Sequence, residues 1–317
     1  MSQLFSHSRL TSFESCPKKF QFRYLLRIPA ESESIEAFLG KRVHEVLERL
    51  YRAVALGQLP SLAQVLQRFG LLWDESYDPL RIRIARAERS ALAYRTLGEQ
   101  GLTRYYRSHY PFDADETLAV EKRFRFHLDP EGRYAVQGIV DRLSRARDGA
   151  IEIHDYKTSA RVPSQAALDR DRQLALYQLG VAKIYGAEQP VRLVWHYVVS
   201  GQVRRSERTP EALDAVRSHS ISLIDRIRSE TRFEPRPGPL CSWCEYAALC
   251  PASLTHRNAA GEARAAARSE REVRAIPAAL DPPAPAAARA ELPLALPRVA
   301  ARPRRARAAA AEQLPLL

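Results

Sequence analysis

The 317-residue sequence predicts an α/β fold, in which helices flank a central mixed sheet and further helices elaborate the N-terminal region. Three observations support this prediction. Apolar residues recur at helical spacing up to about Tyr110, short segments of alternating hydrophobicity begin at Leu118, and helical patterns return around Ser164 and Pro210. Because 45% of the residues are hydrophobic, the chain can bury the core of one large domain.

The first clear element is an amphipathic helix that ends near Gly57. His44 lies at the edge of its apolar stripe, where a histidine is more often packed or capped than bound to a metal. The stripe recurs every three or four residues and consists of Phe38, Leu39, Val43, Val46, Leu47, Leu50, Tyr51 and Val54.

Three strands are expected next. Residues 118–128 alternate as a half-buried strand, and residues 129–132 supply the turn into a second strand that carries Asp141. A third strand follows the turn residues 147–149. Since side chains alternate along a strand, its carboxylate and lysine should point to one side together with two isoleucines, the set being Ile151, Ile153, Asp155 and Lys157.

The loop between the second and third strands fixes how their carboxylates face each other. A loop of odd length centred on Asp148 places Asp141 directly across from Asp155, whereas a two-residue Asp148-Gly149 turn would put Asp141 on the opposite face. We therefore predict the odd-length loop. It would also place an apolar floor under the carboxylates, formed by Ile139, Leu143, Ile151 and Ile153.

Two neighbouring carboxylates indicate a cation site, because they repel each other unless a cation lies between them. Oxygen ligands favour Mg²⁺ or Mn²⁺. A lysine two residues from Asp155, Lys157, can hold a phosphate or lower the pKa of an attacking water, which is the chemistry of phosphodiester hydrolysis. The alternative is that Asp155 and Lys157 form a solvated pair on an exposed strand.

Four segments of the chain resemble, in order, the motifs of the PD-(D/E)XK nuclease superfamily, in its RecB/AddB-like branch. They are Gly40-Lys41-Arg42-Val43-His44, Gly138-Ile139-Val140-Asp141-Arg142, Asp155-Tyr156-Lys157-Thr158, and Gln173 with Tyr177. The resemblance implies a restriction-endonuclease-like core and cleavage of DNA. Here Asp155 stands where the family more often has glutamate.

The same resemblance assigns roles to the matching residues. His44, Asp141 and Asp155 would be metal ligands, with the Tyr156 carbonyl as a possible further one, and Lys157 would be the catalytic lysine. Gln173 and Tyr177, one helical turn apart, would be an accessory pair near the DNA backbone, or simply decorate a surface helix. Glu121 also resembles a recurrent acidic position, but Arg123 and Arg125 on its strand face favour a surface ion pair.

The four cysteines of the chain, Cys16, Cys241, Cys244 and Cys250, form one group with metal-ligand spacing. Their spacing alone leaves zinc and an iron–sulfur cluster open. Cys16-Pro17 and Cys241-Ser242-Trp243-Cys244 resemble the iron–sulfur signature of the same nuclease branch, which implies a four-iron four-sulfur (4Fe-4S) cluster rather than zinc. Such a cluster would staple the N- and C-terminal parts of the fold together.

The nuclease domain is assigned to residues 1–258, with a helical insertion at about 57–112. Residues 259–317 are rich in alanine, arginine and proline, which predicts a disordered tail. The final peptide, residues 313–317, resembles the motif that docks bacterial repair proteins into the DNA sliding clamp, although so short a match also arises by chance. Its docking residues would be Gln313, Leu314, Leu316 and Leu317.

Net charge and localisation complete the prediction. A formal charge of +12 and a pI near 9.8 favour a polyanionic partner such as DNA, although a GC-rich genome gives the same arginine bias. No apolar run is long enough for a membrane span and the start lacks a secretory pattern, so we expect a cytoplasmic protein.

The sequence therefore predicts a metal-dependent DNA nuclease, a RecB-like exonuclease of DNA repair or recombination, with a possible helicase partner. Three alternatives stay open: a non-catalytic DNA-binding scaffold with the same fold, a nuclease of the CRISPR-adaptation type, and a zinc-stabilised interaction module.

Overall fold

A five-stranded mixed sheet with helices packed around it carries the residues singled out above. The computed structural model describes residues 4–86 and 88–253, which belong to one compact unit, Met1–Ala265. The predicted tail and its clamp-binding peptide lie outside the described residues. Within the described part, no helix combines the length and apolarity that crossing a membrane requires.

The helices are α1 (His7–Ser15), α2 (Pro17–Phe20), α3 (Ile35–Ala55), α4 (Leu62–Ser76), α5 (Ala91–His109), α6 (Gln165–Leu168), α7 (Arg172–Tyr185) and α8 (Pro210–Ser229). The strands are β1 (Glu33–Ser34), β2 (Ile82–Arg83), β3 (Asp115–His127), β4 (Ala135–Ala146), β5 (Ile151–Lys157), β6 (Val191–Tyr197) and β7 (Gln202–Ser206). A π-helical turn follows α2 at Gln21–Leu25, and a 3-10 turn lies at Pro239–Trp243.

The main sheet has the strand order β3-β4-β5-β6-β7. Its strands pair antiparallel except for β5 and β6, which run parallel because α6 and α7 form the crossover between them. The predicted mixed α/β fold is thus confirmed at the level of its sheet and helices.

One face of the sheet is covered by α3, α4 and α5. The predicted apolar stripe of α3 is buried there, and a side-chain cap from Ser34 begins the helix. The two helices of the predicted insertion, α4 and α5, pack on α3 and complete this layer. On the other face, α7 packs against β3 to β6, and Asp171 caps its first turn.

The N-terminal residues join the sheet directly. Phe5, fully buried, donates its backbone N–H to the Ala135 carbonyl at 2.9 Å and accepts from the Gln137 N–H at 2.8 Å. This short bridge holds the start of α1 against β4 and α7, close to the strands that carry the acidic residues.

The register of the β4–β5 hairpin confirms the odd-length loop. Arg142 pairs with His154 and Arg145 with Ile151, so the hairpin is centred on Asp148. Gly149 adopts the left-handed conformation (φ 86°) that a three-residue hairpin loop requires at its last position. Continued by one step, this register places Asp141 across from Asp155.

The prediction for Ile139 is wrong. Leu143, Ile151 and Ile153 are buried under the carboxylates as expected, but Ile139 is 37% exposed. Val140 and Leu143, three residues apart, lie in the same apolar cluster, which strict alternation along a strand does not allow. The facing of β4 therefore shifts by one residue around Asp141.

A buried polar network lies on the α3 side of the sheet, behind the predicted site. Arg142 is 2% exposed and donates to Asp115 (2.6 Å), to the Tyr156 hydroxyl (3.2 Å) and to Nδ1 of His154 (3.3 Å). Burial, with the charge of Arg142 adding to it, lowers the pKa of His154 well below its ordinary value, so this imidazole is neutral.

Asp115, Glu152 and His154 offer ligand atoms within 4.8 Å of one another. The guanidinium of Arg142 already supplies the counter-charge to Asp115 there, so this cluster is explained as part of the structural core. It needs no cation.

Asp115 should therefore be important for stability. We expect Asp115→Ala to lower the free energy of unfolding by about 3–5 kcal/mol, because it leaves the buried charge of Arg142 without its partner. Urea unfolding followed by circular dichroism measures this. As a control, Asp148→Ala removes the carboxylate of an exposed ion pair with Arg192 and should change stability little. Equal unfolding midpoints for the two variants would contradict the assigned role of Arg142.

Candidate active site

The predicted site residues meet where β4 and β5 lie side by side. Asp141 comes from β4 and Asp155 and Lys157 from β5, while His44 reaches them from α3. Gln173 and Tyr177 arrive from α7 on the other face of the sheet, so the structure brings together all six side chains that the sequence singled out.

Tyr156 links the two halves of this site through its backbone. Its N–H donates to Oδ2 of Asp141 at 2.8 Å, and its carbonyl oxygen accepts from Nε2 of His44 at 2.7 Å. Nδ1 of His44 lies 3.4 Å from Oδ1 of Asp141. The histidine is therefore part of the site and not only a packed side chain of α3.

Glu121 is the acidic residue that the sequence analysis undervalued. Val120 pairs with Arg142 and Lys122 with Val140, so Glu121 lies opposite Asp141 on the neighbouring strand. Its carboxylate offers a ligand atom within 4.8 Å of those of His44 and Asp141. The strand register, once known, is the signal that finds it.

The expected surface ion pair of Glu121 is wrong. Within residues 4–86 and 88–253, no salt bridge joins it to Arg123 or Arg125. Glu121 instead has a φ of 48°, a left-handed conformation that is costly for a residue with a side chain and is often found at functional sites. The backbone turns its half-buried carboxylate towards the acidic cluster.

A second group of polar side chains surrounds Asp155, which is 3% exposed. Nζ of Lys157 lies 2.8 Å from Oδ2 of Asp155 and donates at 3.0 Å to Oδ1 of Asp155 and to Oε1 of Gln173. The amide of Gln173 donates back to Asp155 at 3.1 Å and to the Tyr177 hydroxyl at 3.3 Å. Gln173 thus fixes both the lysine and the carboxylate.

The charges of these groups depend on one another. Burial alone would lower the pKa of His44, but its hydrogen bond with Asp141 and the charges of Asp141 and Asp155 raise it to about 9. Burial raises the pKa of Asp155 to about 6, opposed by the adjacent Lys157. Burial lowers the pKa of Lys157, but Asp155 outweighs this and raises it, so the lysine is protonated.

Burial also raises the pKa of Glu121, and the negative charges of Asp141 and Glu48 add to that effect. The carboxylates of the cluster therefore lack positive charge, which protonated His44 and Lys157 provide only in part.

The residues present fit a divalent cation. Oδ2 of Asp155 is buried and receives no hydrogen bond, although Lys157 lies within ion-pair distance of it. Carboxylate oxygens, a carbonyl oxygen and an imidazole are a donor set that Mg²⁺ or Mn²⁺ accepts.

The four cysteines come together away from this cluster, in one cavity. Cys16 follows α1, and the other three lie between the 3-10 turn and Pro251. Two of the sulfurs accept backbone N–H groups, from Arg236 to Cys16 Sγ and from Gly238 to Cys241 Sγ, both at 3.4 Å. Lys18 and Lys19 also line the cavity.

Fold and site together define an α/β protein with a candidate divalent-metal site at the junction of β4 and β5. The family profile of the PD-(D/E)XK nuclease superfamily matches residues 4–251. This span includes most of the chain and all the residues of both clusters, and the chain belongs to this superfamily, whose members use divalent metals.

Two curated proteins share part of the sequence. The Gene 69 protein of Mycobacterium phage D29 is 27% identical over 144 residues, which cover 43% of this chain and 49% of that protein. One of the two relatives is a component of the ATP-dependent helicase/deoxyribonuclease of Streptococcus uberis, 42% identical over 55 residues, or 17% of this chain and 5% of that protein. The chain thus spans about half of the phage relative and a small part of the streptococcal one.

Among solved structures, a candidate exonuclease from Eubacterium rectale is similar to this chain. It is 16% identical with a TM-score of 0.47, and the match covers 77% of this chain and 88% of that one.

Gly138 should prove essential to the packing beside the site. A Cβ atom there would lie 2.6 Å from ring carbons of both Phe124 and Tyr177, which cannot both move aside. We expect Gly138→Ala to cost about 1–3 kcal/mol of stability, measured by urea unfolding.

Gly40, in the helix that carries His44, is the matched control. Its added Cβ would meet only Thr158 Oγ1 at 3.4 Å, an ordinary contact. Gly40→Ala should leave stability unchanged or raise it, since alanine is the better helix former. If the two variants were equally stable, the close approach of α7 to β4 at Gly138 would be wrong.

Proposed function

We propose that this protein is a Mg²⁺- or Mn²⁺-dependent deoxyribonuclease, a RecB-like exonuclease that hydrolyses phosphodiester bonds in DNA repair or recombination. One observation carries the proposal: the cluster of His44, Glu121 and Asp141 lies beside the buried pair of Asp155 and Lys157. Carboxylates that need a cation, next to a lysine that can bind phosphate, suit phosphoryl chemistry.

The metal ligands in this proposal are Asp141, Asp155, His44 and the Tyr156 carbonyl, and the structure adds Glu121 as a candidate. When bound, the metal polarises the phosphate and lowers the pKa of a coordinated water. In the metal-free protein, protonated His44 supplies the positive charge between Asp141 and the Tyr156 carbonyl. Metal binding to His44 must release that proton.

Lys157 acts through its positive charge. Because Asp155 keeps it protonated, it stabilises the negative charge that develops on the phosphate and does not itself remove a proton from water. Gln173 holds Lys157 towards Asp155, and Tyr177 supports Gln173, so these two residues position the lysine. Their surface on α7 is where the DNA backbone would pass.

DNA is the proposed partner. The net charge of +12 favours a polyanion, and phosphate contacts would provide most of the affinity. The Streptococcus uberis relative is named as part of a helicase/deoxyribonuclease, which supports a helicase partner for this chain as well. Clamp binding through residues 313–317 and a cytoplasmic location stay predictions.

We further propose that the four cysteines bind a 4Fe-4S cluster. All four thiols line one cavity, and N–H donors reach the sulfurs of Cys16 and Cys241, as thiolate ligands require. The cavity also contains Lys18 and Lys19, whose charges offset the negative charge of four thiolates. Bound there, the cluster would connect the end of α1 with the C-terminal segment.

Substitutions in the metal site test the nuclease proposal. With end-labelled single- and double-stranded DNA and Mg²⁺ or Mn²⁺, we expect Asp141→Ala to abolish cleavage through loss of a metal ligand. Lys157→Ala should lower kcat by about 10²–10³, the usual effect of losing one charge-stabilising group. EDTA should abolish the wild-type activity.

Lys183→Ala is the matched control, because this exposed lysine lies on α7 away from the cluster. Its activity should equal that of the wild type. If no protein cleaves any DNA, yet all bind it equally, the chain is the non-catalytic scaffold. Cleavage that persists in Asp141→Ala would refute the assigned site.

The cluster proposal predicts a brown protein after anaerobic purification. We expect four iron and four sulfide per chain, and the loss of both with Cys16→Ser, because a ligand is missing. Ser15→Ala changes the neighbouring residue without touching a thiol and should keep the colour. A colourless protein that contains one zinc would establish the zinc alternative instead.

A further inference from the structure

Ser253 lies in the cysteine cavity and has a buried hydroxyl without a partner. The residue is 2% exposed and lines the same cavity as the four thiols. Among the described residues, no hydrogen bond reaches its Oγ. An unsatisfied buried hydroxyl costs free energy, so its presence asks for a partner that binds in this cavity.

The backbone places Ser253 close to Cys250. The N–H of Ser253 donates to the Cys250 carbonyl at 3.0 Å, and the N–H of Cys250 donates to the Tyr246 carbonyl at 3.1 Å. Residues three apart in a helical turn lie on the same side. The hydroxyl is therefore next to Cys250, which is itself 9% exposed.

The other three sulfurs already have backbone donors. Cys16 accepts from the Arg236 N–H and Cys241 from the Gly238 N–H, and a backbone hydrogen bond from Tyr246 opposes the rise in the pKa of Cys244 that burial causes. For Cys250, the described residues show no such donor to its sulfur. Ser253 is the polar group that stands in the corresponding place.

We propose that the Ser253 hydroxyl donates a hydrogen bond to a sulfur atom of the cluster on its Cys250 side and thereby sets the reduction potential. This inference rests on the proposed cluster. Reduction adds negative charge to the cluster, and a hydrogen bond to sulfur stabilises that added charge, so the donor raises the potential. Removing it makes the cluster harder to reduce.

Redox titration of the anaerobically purified full-length protein tests this, with the cluster followed by visible absorption and electron paramagnetic resonance. We expect Ser253→Ala to keep wild-type iron and sulfide contents but to shift the midpoint potential to a more negative value. Ser253→Thr keeps the hydroxyl and should retain the wild-type potential.

Ser242→Ala is the matched control for a serine near the ligands. Ser242 lies between Cys241 and Cys244, but it is exposed and its hydroxyl already donates to the Pro239 carbonyl at 2.8 Å. Its removal should leave the potential unchanged.

The remaining outcomes separate the inference from the proposals it rests on. An intact cluster with an unchanged potential in Ser253→Ala overturns the inference and leaves the cluster proposal standing. If Ser253→Ala loses the cluster but Ser253→Thr keeps it at the wild-type potential, the hydroxyl is required as proposed. Loss in both variants makes Ser253 a packing residue and overturns the inference. A wild-type protein without iron refutes the cluster and this inference together, while DNA cleavage is decided by its own assay.

Discussion

The hydrogen bond between the Tyr156 N–H and Oδ2 of Asp141 is the contact on which the site depends, because it fixes β5 against β4 where their carboxylates meet. The Tyr156 carbonyl simultaneously anchors His44 of α3. Alternation along β5 then determines the rest: Asp155 and Lys157 face α7, while the Tyr156 ring points to the opposite side and is held by Arg142. One backbone unit is thus secured from both faces of the sheet, so the ligands of the proposed metal are preorganised.

Buried charge is distributed differently on the two sides of β5. Behind the strand, Arg142 and Asp115 compensate each other and His154 is neutral, so the network is complete as it stands. In front, three carboxylates share His44 and Lys157, and one oxygen of Asp155 is left without a hydrogen bond. A polar network that is satisfied contributes to the fold, whereas an incomplete one is a place for a ligand. This contrast separates the structural cluster from the candidate active site.

Helix α1 connects the cysteine cavity with the polar residues of α7. Cys16 follows its last turn, and Glu14 two residues earlier pairs with Arg172, the residue before Gln173. The two ends of the described chain also meet without any cofactor, since Lys19 pairs with Glu245 at 2.8 Å and the Tyr246 hydroxyl donates to the Ile28 carbonyl at 3.0 Å. A cluster at the four cysteines would therefore strengthen an existing contact rather than create the only one.

The sequence by itself determined the features that depend on local periodicity. The apolar stripe of α3, the shared face of Asp155 and Lys157 and the odd-length loop at Asp148 all follow from side-chain spacing and turn chemistry, and the structure has each of them. Only the tertiary structure decided the exposure of Ile139, the place of Glu121 and the burial of Arg142. At Glu121 and Asp141 the strands depart from strict alternation, so a period-two pattern assigns the wrong face there. His44 meets a carbonyl 112 residues away, and such contacts arise from the packing of whole helices on the sheet, which no local pattern encodes.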